Sequence, residues 1–298
     1  MLAFYPGNNK IRQTMTRLVY LNGDYLPADE AKISIFDRAV NFGDAIYEVA
    51  GVLDGKLVDF DHHMQRYASS LEKLAIPQPL NRDQILVAFR KLVELNQIDE
   101  GLIYLQVTRG VAERDFVWPA DLKPNLFMFT QPKSSAENEL ATTGISLASV
   151  EDIRWARRDI KTTNLLAQVL AKKQADDAGA YEALMVDPEG NVTECGSTSF
   201  FMVKDDLILT RPLNNDILPG ITRKAIVALC HSHGLRLIES KFTLNDALAA
   251  SEAFISCASS YLLPVTTIDA QAIGSGNPGP VFNNLRRIYI DHIRANLT

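Results

Sequence analysis

Between residues 131 and 138 the chain reads QPKSSAEN, and the apolar patterning on either side stops there. Proline, serine and charged side chains replace the alternating or helical apolar positions, the composition of a linker. A chain of 298 residues exceeds one typical domain, so this break predicts two packed units. The expected division is a small N-terminal domain over 18–133, an interdomain linker over 134–138 and a larger C-terminal domain over 139–298. Residues 1–17 read as a flexible leader, without a secretion signal and with Met15 as an alternative start.

Within the first unit, Leu18–Leu21 and Tyr25–Leu26 flank the turn Asn22-Gly23-Asp24, a hairpin pattern. Residues 41–49 approach a strand through Gly43. Asp61 is placed to cap a helix over 62–74 whose Met64, Tyr67, Ala68 and Leu71 share a face. Arg66 falls opposite that face, toward solvent or a cleft. Asn81 and Gln84 form a capping-box pair for a helix to about Asn96, and strands follow at 102–109 and 126–130. The second unit reads as a strand over 145–150, a helix ending before Gly179 and a hairpin across Asp187-Pro188-Glu189-Gly190. Then come strands over 200–203 and 207–210, a helix to about Gly234, strands over 253–257 and 265–268, and a terminal helix over 281–296.

A net charge of −6 and a pI near 5.4 argue against a nucleic-acid or anionic-membrane surface, which needs basic clusters. No apolar run is long enough to span a bilayer. Cys195, Cys230 and Cys257 lie at wide spacings with no metal-ligand pattern, which predicts a reducing, cytoplasmic setting. His62 and His63 diverge on a helix and make no metal site; none is expected.

Four features carry chemistry. Lys161 stands in DIKTTNLL just ahead of an amphipathic helix with Leu165, Leu166, Val169 and Leu170 on its apolar side. On its own it could be a solvated lysine; held in a cleft, its desolvated amine is a nucleophile toward a carbonyl. Glu194 heads into small polar residues in VTECGSTS. Pro219-Gly220-Ile221-Thr222 opens a helix, whose free amides suit a phosphate, and Arg66 could clamp the same group. An amine for a Schiff base, a carboxylate for a pyridinium nitrogen and a phosphate cup are the parts that pyridoxal 5′-phosphate requires.

The chain resembles the fold-type IV pyridoxal-phosphate enzymes, and among them the D-amino-acid transaminases. The resemblance is carried by FDRAVNFGDAIYEV (36–49), HHMQRYASSLEKL (62–74), LIYLQVTRG (102–110), VEDIRWARRDIKTTNLLAQVLAKKQA (150–175), VTECGSTSFF (192–201) and LPGITR (218–223). It implies an α+β fold with a small N-terminal α/β domain, a larger C-terminal α/β domain with a β-barrel-like core, and the cofactor between them. It also implies a homodimer in which each subunit completes its neighbour's site. On this resemblance Lys161 carries the cofactor as a Schiff base and moves the substrate proton, and Glu194 keeps the pyridine nitrogen protonated. Arg66 and the amides of Ile221 and Thr222 bind the phosphate, and Leu218 packs on the ring. Ser259 or Ser260 adds a hydroxyl, although Ala258 stands where the family usually has threonine.

For the substrate carboxylate, Tyr47 and Arg114 match the family's tyrosine and arginine, the latter reaching in from the partner's loop. Phe116 replaces its histidine, and Gly51 replaces a longer side chain and would widen the pocket. The implied reaction is ping-pong transamination between a D-amino acid of the D-alanine or D-glutamate type and a 2-oxo acid, pyruvate or 2-oxoglutarate. Other readings are an (R)-selective amine:pyruvate transaminase, an L-branched-chain aminotransferase, an aminodeoxychorismate lyase and a non-catalytic pyridoxal-phosphate-binding protein.

Overall fold

The computed structural model describes residues 17–298; apart from residue 17, the expected leader lies outside the described residues. The hairpin appears as β1 (Leu18–Leu21) and β2 (Asp24–Pro27). Next comes a short helix that sequence reading missed, α1 (Arg38–Phe42), whose N-cap Asp37 accepts a hydrogen bond from the Ala39 amide at 2.8 Å. It ends at Gly43, where φ is +65° and a Cβ would meet the tip of the Asn164 side chain, both of which favour glycine. Then follow β3 (Ala45–Leu53), β4 (Lys56–Leu57), α2 (Phe60–Lys73), α3 (Arg82–Leu95), β5 (Gly101–Thr108) and β6 (Asn125–Pro132). The strands form one antiparallel sheet in the order β2-β1-β6-β5-β3-β4.

Period-two alternation sorts this sheet's faces. Ile103, Leu105 and Val107 of β5 are fully buried beneath α2 and α3, in a core with Phe60, Phe89 and Leu92. On the opposite face Tyr104 stacks on Tyr47, with ring centroids 5.6 Å apart. The Asn81–Gln84 capping box is present at α3. Helix α2 differs from expectation: it starts at Phe60 with Asp59 at the N-cap, and Asp61 pairs with Arg82 instead. Ala68 is exposed, while His63 and Ser70 take buried places.

The expected linker is not loose. Ser135 is buried, its amide and that of Ala136 both donate to Glu100 at 2.6 Å, and Arg286 donates to both of their carbonyls. Beyond it run α4 (Leu140–Thr143), β7 (Ile145–Glu151), α5 (Leu166–Asp177), β8 (Glu182–Val186), β9 (Val192–Cys195), β10 (Ser199–Lys204) and β11 (Leu207–Thr210). The chain continues through α6 (Ile221–Ser232), β12 (Leu237–Glu239), α7 (Leu244–Leu248), β13 (Glu252–Cys257), β14 (Tyr261–Ile268), β15 (Gln271–Ala272) and α8 (Pro280–Ala295).

The second sheet runs β12-β11-β10-β13-β14-β7-β8-β9, with β15 on β14 and parallel pairs at β11–β12, β14–β7 and β7–β8. It curls into a half-barrel. Phe201, Val203 and Phe254 pack outward under α6 and α8, while Phe200, Met202 and Ile255 fill the other side with Phe242. Because both faces are covered, β10 reads as an unbroken apolar run. Helix α5 corrects the expected apolar face: Ala171 and Ala175 pack on β7 and β8, whereas Leu166, Val169 and Leu170 are exposed. Among the described residues no helix is long and apolar enough to cross a membrane.

Candidate active site

A cavity of about 290 Å³ lies between the two sheets, and residues from both line it. Lys161 reaches it from the segment before α5. Its carbonyl accepts the Tyr47 amide at 3.0 Å, Thr162 bridges to Ile46, and the Thr163 amide donates to Ala45 at 3.1 Å. This irregular segment is therefore stitched to β3 as if it were a further strand, which fixes the root of the lysine. The Lys161 Nζ sits 4.0 Å from the centroid of the Tyr47 ring. A cation or amine held on that face is shielded from bulk water on one side.

Glu194, 5 % exposed at the end of β9, receives the Nη1 of Arg154 and, at 3.2 Å, the Leu218 amide. Burial pushes its carboxyl up, against the Arg154 charge and the Leu218 amide that pull it down. Arg154 is itself held by Asp152, with Nη2 donating to Oδ2 at 2.7 Å and Nε to Oδ1 at 2.9 Å. One guanidinium thus serves two buried carboxylates, and Arg158 Nη2, 3.6 Å from Asp152 Oδ1, supplies the second cation of this row.

Arg66 resolves to the cleft. Its Nε and Nη2 each donate to Glu48 at 2.8 Å, and its Nη1 donates to the Pro219 carbonyl at 3.0 Å. Glu48 lies 1 % exposed on β3 and also contacts His63 Nδ1 at 2.8 Å. Burial would raise its carboxyl, but the Arg66 charge and hydrogen bonds, with His63, outweigh that and hold it at about 2. Facing Arg66, α6 begins at Gly220, where a Cβ would lie 2.8 Å from Ser199 Oγ. The first amides of α6, those of Ile221 and Thr222, have no acceptor within the helix and so form an anion cup.

Lys161, Tyr47, Glu194, Arg66, Leu218, Ile221, Thr222 and Ser259 all line this one cavity. Ser260 does not line it; its hydroxyl is within 3.1 Å of Cys257 Sγ. Arg114 and Phe116 do not line it either: both are exposed on the loop after β5, where the Arg114 guanidinium lies 5.3 Å from the Phe42 ring centroid. Gly51 does not itself line the cavity; it is buried, and a Cβ there would lie 3.3 Å from the carbonyl of Ala258, which does line it.

Sequence reading missed Arg154, Glu48 and His63. Arg154 stood seven residues before Lys161 in a charged run, and Glu48 alternates with Tyr47 on β3; burial was the signal lacking. It also missed Thr198 and Ser256, whose hydroxyls are buried on the cavity wall without a partner. Buried unpaired hydroxyls are uncommon, and a polar ligand filling the cavity would meet them. Amine, carboxylate, cup and orphaned hydroxyls together fit pyridoxal 5′-phosphate.

A two-sheet fold with an amine, a buried carboxylate and a phosphate cup in the seam has the parts of a pyridoxal-phosphate protein. The family model "Amino-transferase class IV" matches residues 45–268, and the chain belongs to the class IV aminotransferases. It is 37 % identical over 268 residues to a D-alanine aminotransferase of Bacillus licheniformis, covering 90 % of this chain and 94 % of that protein. Against a D-alanine aminotransferase of Listeria monocytogenes it is 35 % identical over 277 residues, 92 % and 96 % of the two. Its fold matches the branched-chain amino acid aminotransferase of Escherichia coli with a TM-score of 0.88 at 23 % identity, covering 93 % and 95 %. A second branched-chain amino acid aminotransferase, solved with pyridoxamine 5′-phosphate, matches at 0.86 and 25 % identity, covering 96 % and 99 %.

Proposed function

We propose that this chain transfers the amino group of a D-amino acid, of the D-alanine or D-glutamate type, to a 2-oxo acid such as pyruvate or 2-oxoglutarate. The observation that carries the reading is the Lys161 amine over Tyr47 in a cavity that also holds Glu194 and the Arg66–α6 cup. The D-alanine aminotransferases at 35–37 % identity support the choice of D-amino acids. The cofactor is pyridoxal 5′-phosphate, which supplies a carbonyl for amine exchange and a ring that withdraws electrons from the substrate Cα.

Lys161 would hold the cofactor through its amine, and that amine would take up and return the proton at the substrate Cα. Glu194 would keep the pyridine nitrogen protonated, with Arg154 as the cation paired to its carboxylate. Arg66 and the amides of Ile221 and Thr222 would bind the phosphate, Ser259 would add a hydroxyl, and Leu218 would pack against the ring. The Tyr47 hydroxyl takes one oxygen of the substrate carboxylate.

Arg114 and Phe116 act on the neighbouring subunit's substrate in a homodimer. Supporting this, Phe116, Val117 and the Leu166–Leu170 face of α5 expose large apolar side chains, a pattern of surfaces that bury one another. The segment 134–138 is the boundary between an N-terminal domain of 18–133 and a C-terminal domain of 139–298. The free thiols of Cys195, Cys230 and Cys257 suit the cytoplasm.

The test is a half-reaction on the loaded protein with no acceptor, following the visible absorbance band. D-Alanine should bleach it toward the near-ultraviolet form much faster than L-leucine or (R)-1-phenylethylamine. Faster bleaching by L-leucine or by the amine would refute the D-amino-acid assignment.

A further inference from the structure

The loop over 109–124, between β5 and β6, carries Arg114 and Phe116 in exposed positions. Its base is held by backbone bonds. The Arg38 amide donates to the Gly110 carbonyl at 2.9 Å, and Val111 bridges to Asp37. Farther out, the side chains of α1 take over.

Arg38 opens α1 and is only 4 % exposed. Its Nη1 donates to the Asp115 carbonyl at 2.6 Å, and its Nη2 donates to the Phe116 carbonyl at 3.4 Å. One planar guanidinium thus grips the backbone of the two residues that follow Arg114. Its Nε donates to Asp44 Oδ2 at 2.8 Å, and Arg109 Nε donates to the same oxygen at 2.7 Å. Burial would raise the Asp44 carboxyl, but hydrogen bonds and charge from Arg109 and Arg38 outweigh it and keep it ionised. Arg109 is also buried, and its other nitrogens donate to the Leu74 and Ala75 carbonyls at 2.8 and 3.0 Å. Trp118 covers the pair, its ring centroid 4.0 Å from the Arg109 guanidinium and 5.9 Å from that of Arg38. At the far end of α1, the Phe42 ring lies 4.6 Å from the Arg38 guanidinium and 5.3 Å from that of Arg114.

We propose that Arg38 is a positioning residue for the substrate carboxylate. Anchored on Asp44, it grips the Asp115 and Phe116 carbonyls and so sets where Arg114 meets the substrate bound in the neighbouring subunit. The inference rests on the reading above that Arg114 and Phe116 act across a homodimer. The two buried guanidinia divide the work on one carboxylate. Arg109 ties Asp44 to the chain just beyond α2, and Arg38 ties it to the loop. Arg38 touches no substrate, so its effect passes through the loop backbone alone. Such a grip strengthens carboxylate binding without entering the chemical step, and its loss shows in half-saturation rather than in the limiting rate.

The half-reaction of the loaded protein, run over a range of D-glutamate or (R)-1-phenylethylamine concentrations, gives both quantities. Arg38→Lys keeps a cation beside Asp44 and removes the two-pronged grip. It should raise the half-saturating D-glutamate concentration about tenfold, keep the limiting rate within about twofold, and leave the amine nearly unchanged. The visible band of the bound cofactor and its affinity should not move. In an Arg114→Ala background Arg38→Lys should add almost nothing, because both losses run through one clamp. Trp118→Ala, at a half-exposed position, should show the same pattern at about threefold and serves where Arg38→Lys fails to fold. Unchanged half-saturation in both variants would overturn the proposal, as would an equal loss on the amine or a loss that adds in full to that of Arg114→Ala. If Arg114→Ala itself leaves D-glutamate untouched, the substrate role of the loop fails, and that of Arg38 with it. A strong Arg114→Ala beside a silent Arg38→Lys and a silent Trp118→Ala refutes the grip alone.

Discussion

Glu48→Gln removes a single charge from the deepest part of the site and leaves its shape almost unchanged. In the native chain Glu48 accepts both Arg66 nitrogens and faces His63, and its carboxyl is held at about 2 rather than the usual 4.5. At about 1.4 kcal/mol per tenfold in proton affinity, that difference is worth roughly 3 kcal/mol of folded-state stability. The sign follows from the depressed value: the contribution is complete above pH 4.5 and fades as pH falls toward 2, with about 2 kcal/mol gone by pH 3. Glu48→Gln should therefore lower unfolding free energy by about 3 kcal/mol at pH 7, the size expected for breaking a buried pair. It should also flatten the acid limb of the stability profile between pH 5 and pH 3. Urea unfolding followed by tryptophan fluorescence, at one fixed protein concentration, measures both. Cofactor affinity should drop as well, since Arg66 loses the partner that aims it. A loss under 1 kcal/mol at pH 7 together with an unchanged acid limb would refute the argument that Arg66 is held by a charged Glu48.

Lys161→Ala should abolish turnover and the visible band of the loaded protein, because no other amine lines the cavity among the described residues; near-normal turnover would remove the mechanism. Arg114→Ala should lower kcat/KM for D-glutamate by roughly 10- to 100-fold, the worth of a charge-assisted clamp, and change (R)-1-phenylethylamine far less. Equal losses on both substrates would mean that Arg114 only shapes its loop. Leu170→Glu, on the exposed apolar face of α5, should drive the protein toward monomers in sedimentation, and an unchanged dimer would exclude that face from the interface. Phe89→Ala, at a fully buried position between α3 and the first sheet, should cost about 3–5 kcal/mol by urea unfolding with the site's spectrum retained.

The elements legible in the sequence are those whose signal is local. The Asn81–Gln84 capping box, the hairpin turn at Asn22-Gly23 and the helix start at Gly220 each depend on a few neighbouring residues, and each stands where the spacing puts it. Elements whose stability comes from elsewhere were not legible. Helix α1 is five residues long and is held by Asp37, which is fully buried and reaches Thr108 and Asn125. Helix α5 misled for a related reason: its leucines mark an apolar face, but the residues that pack on β7 and β8 are Ala171 and Ala175. In the site, Lys161 and the α6 cup were legible only as candidates and only in company, since a lone lysine or a turn-glycine-helix junction is common. Arg154, Glu48 and His63 were not, because a buried ion pair is written in two distant segments and becomes visible only when the fold joins them.

That joining is itself done by a few bonds placed beside the chemistry. The Tyr47 amide holds the Lys161 carbonyl, Arg66 crosses from α2 to Pro219, and the Ser135 hydroxyl donates to the Ser259 carbonyl at 2.9 Å. Glu100, on the first sheet's side, fixes the same Ser135. A rotation of one sheet against the other would have to break these contacts, all at or near the cavity wall. The Lys161 segment is stitched to β3 and shares the first sheet's side with Tyr47 and Arg66, while the Glu194 carboxylate sits on β9 of the second sheet. Their spacing is therefore only as constant as that seam. Holding the seam at the site, rather than at its far edges, converts two separately folded sheets into one positioned set of reacting groups.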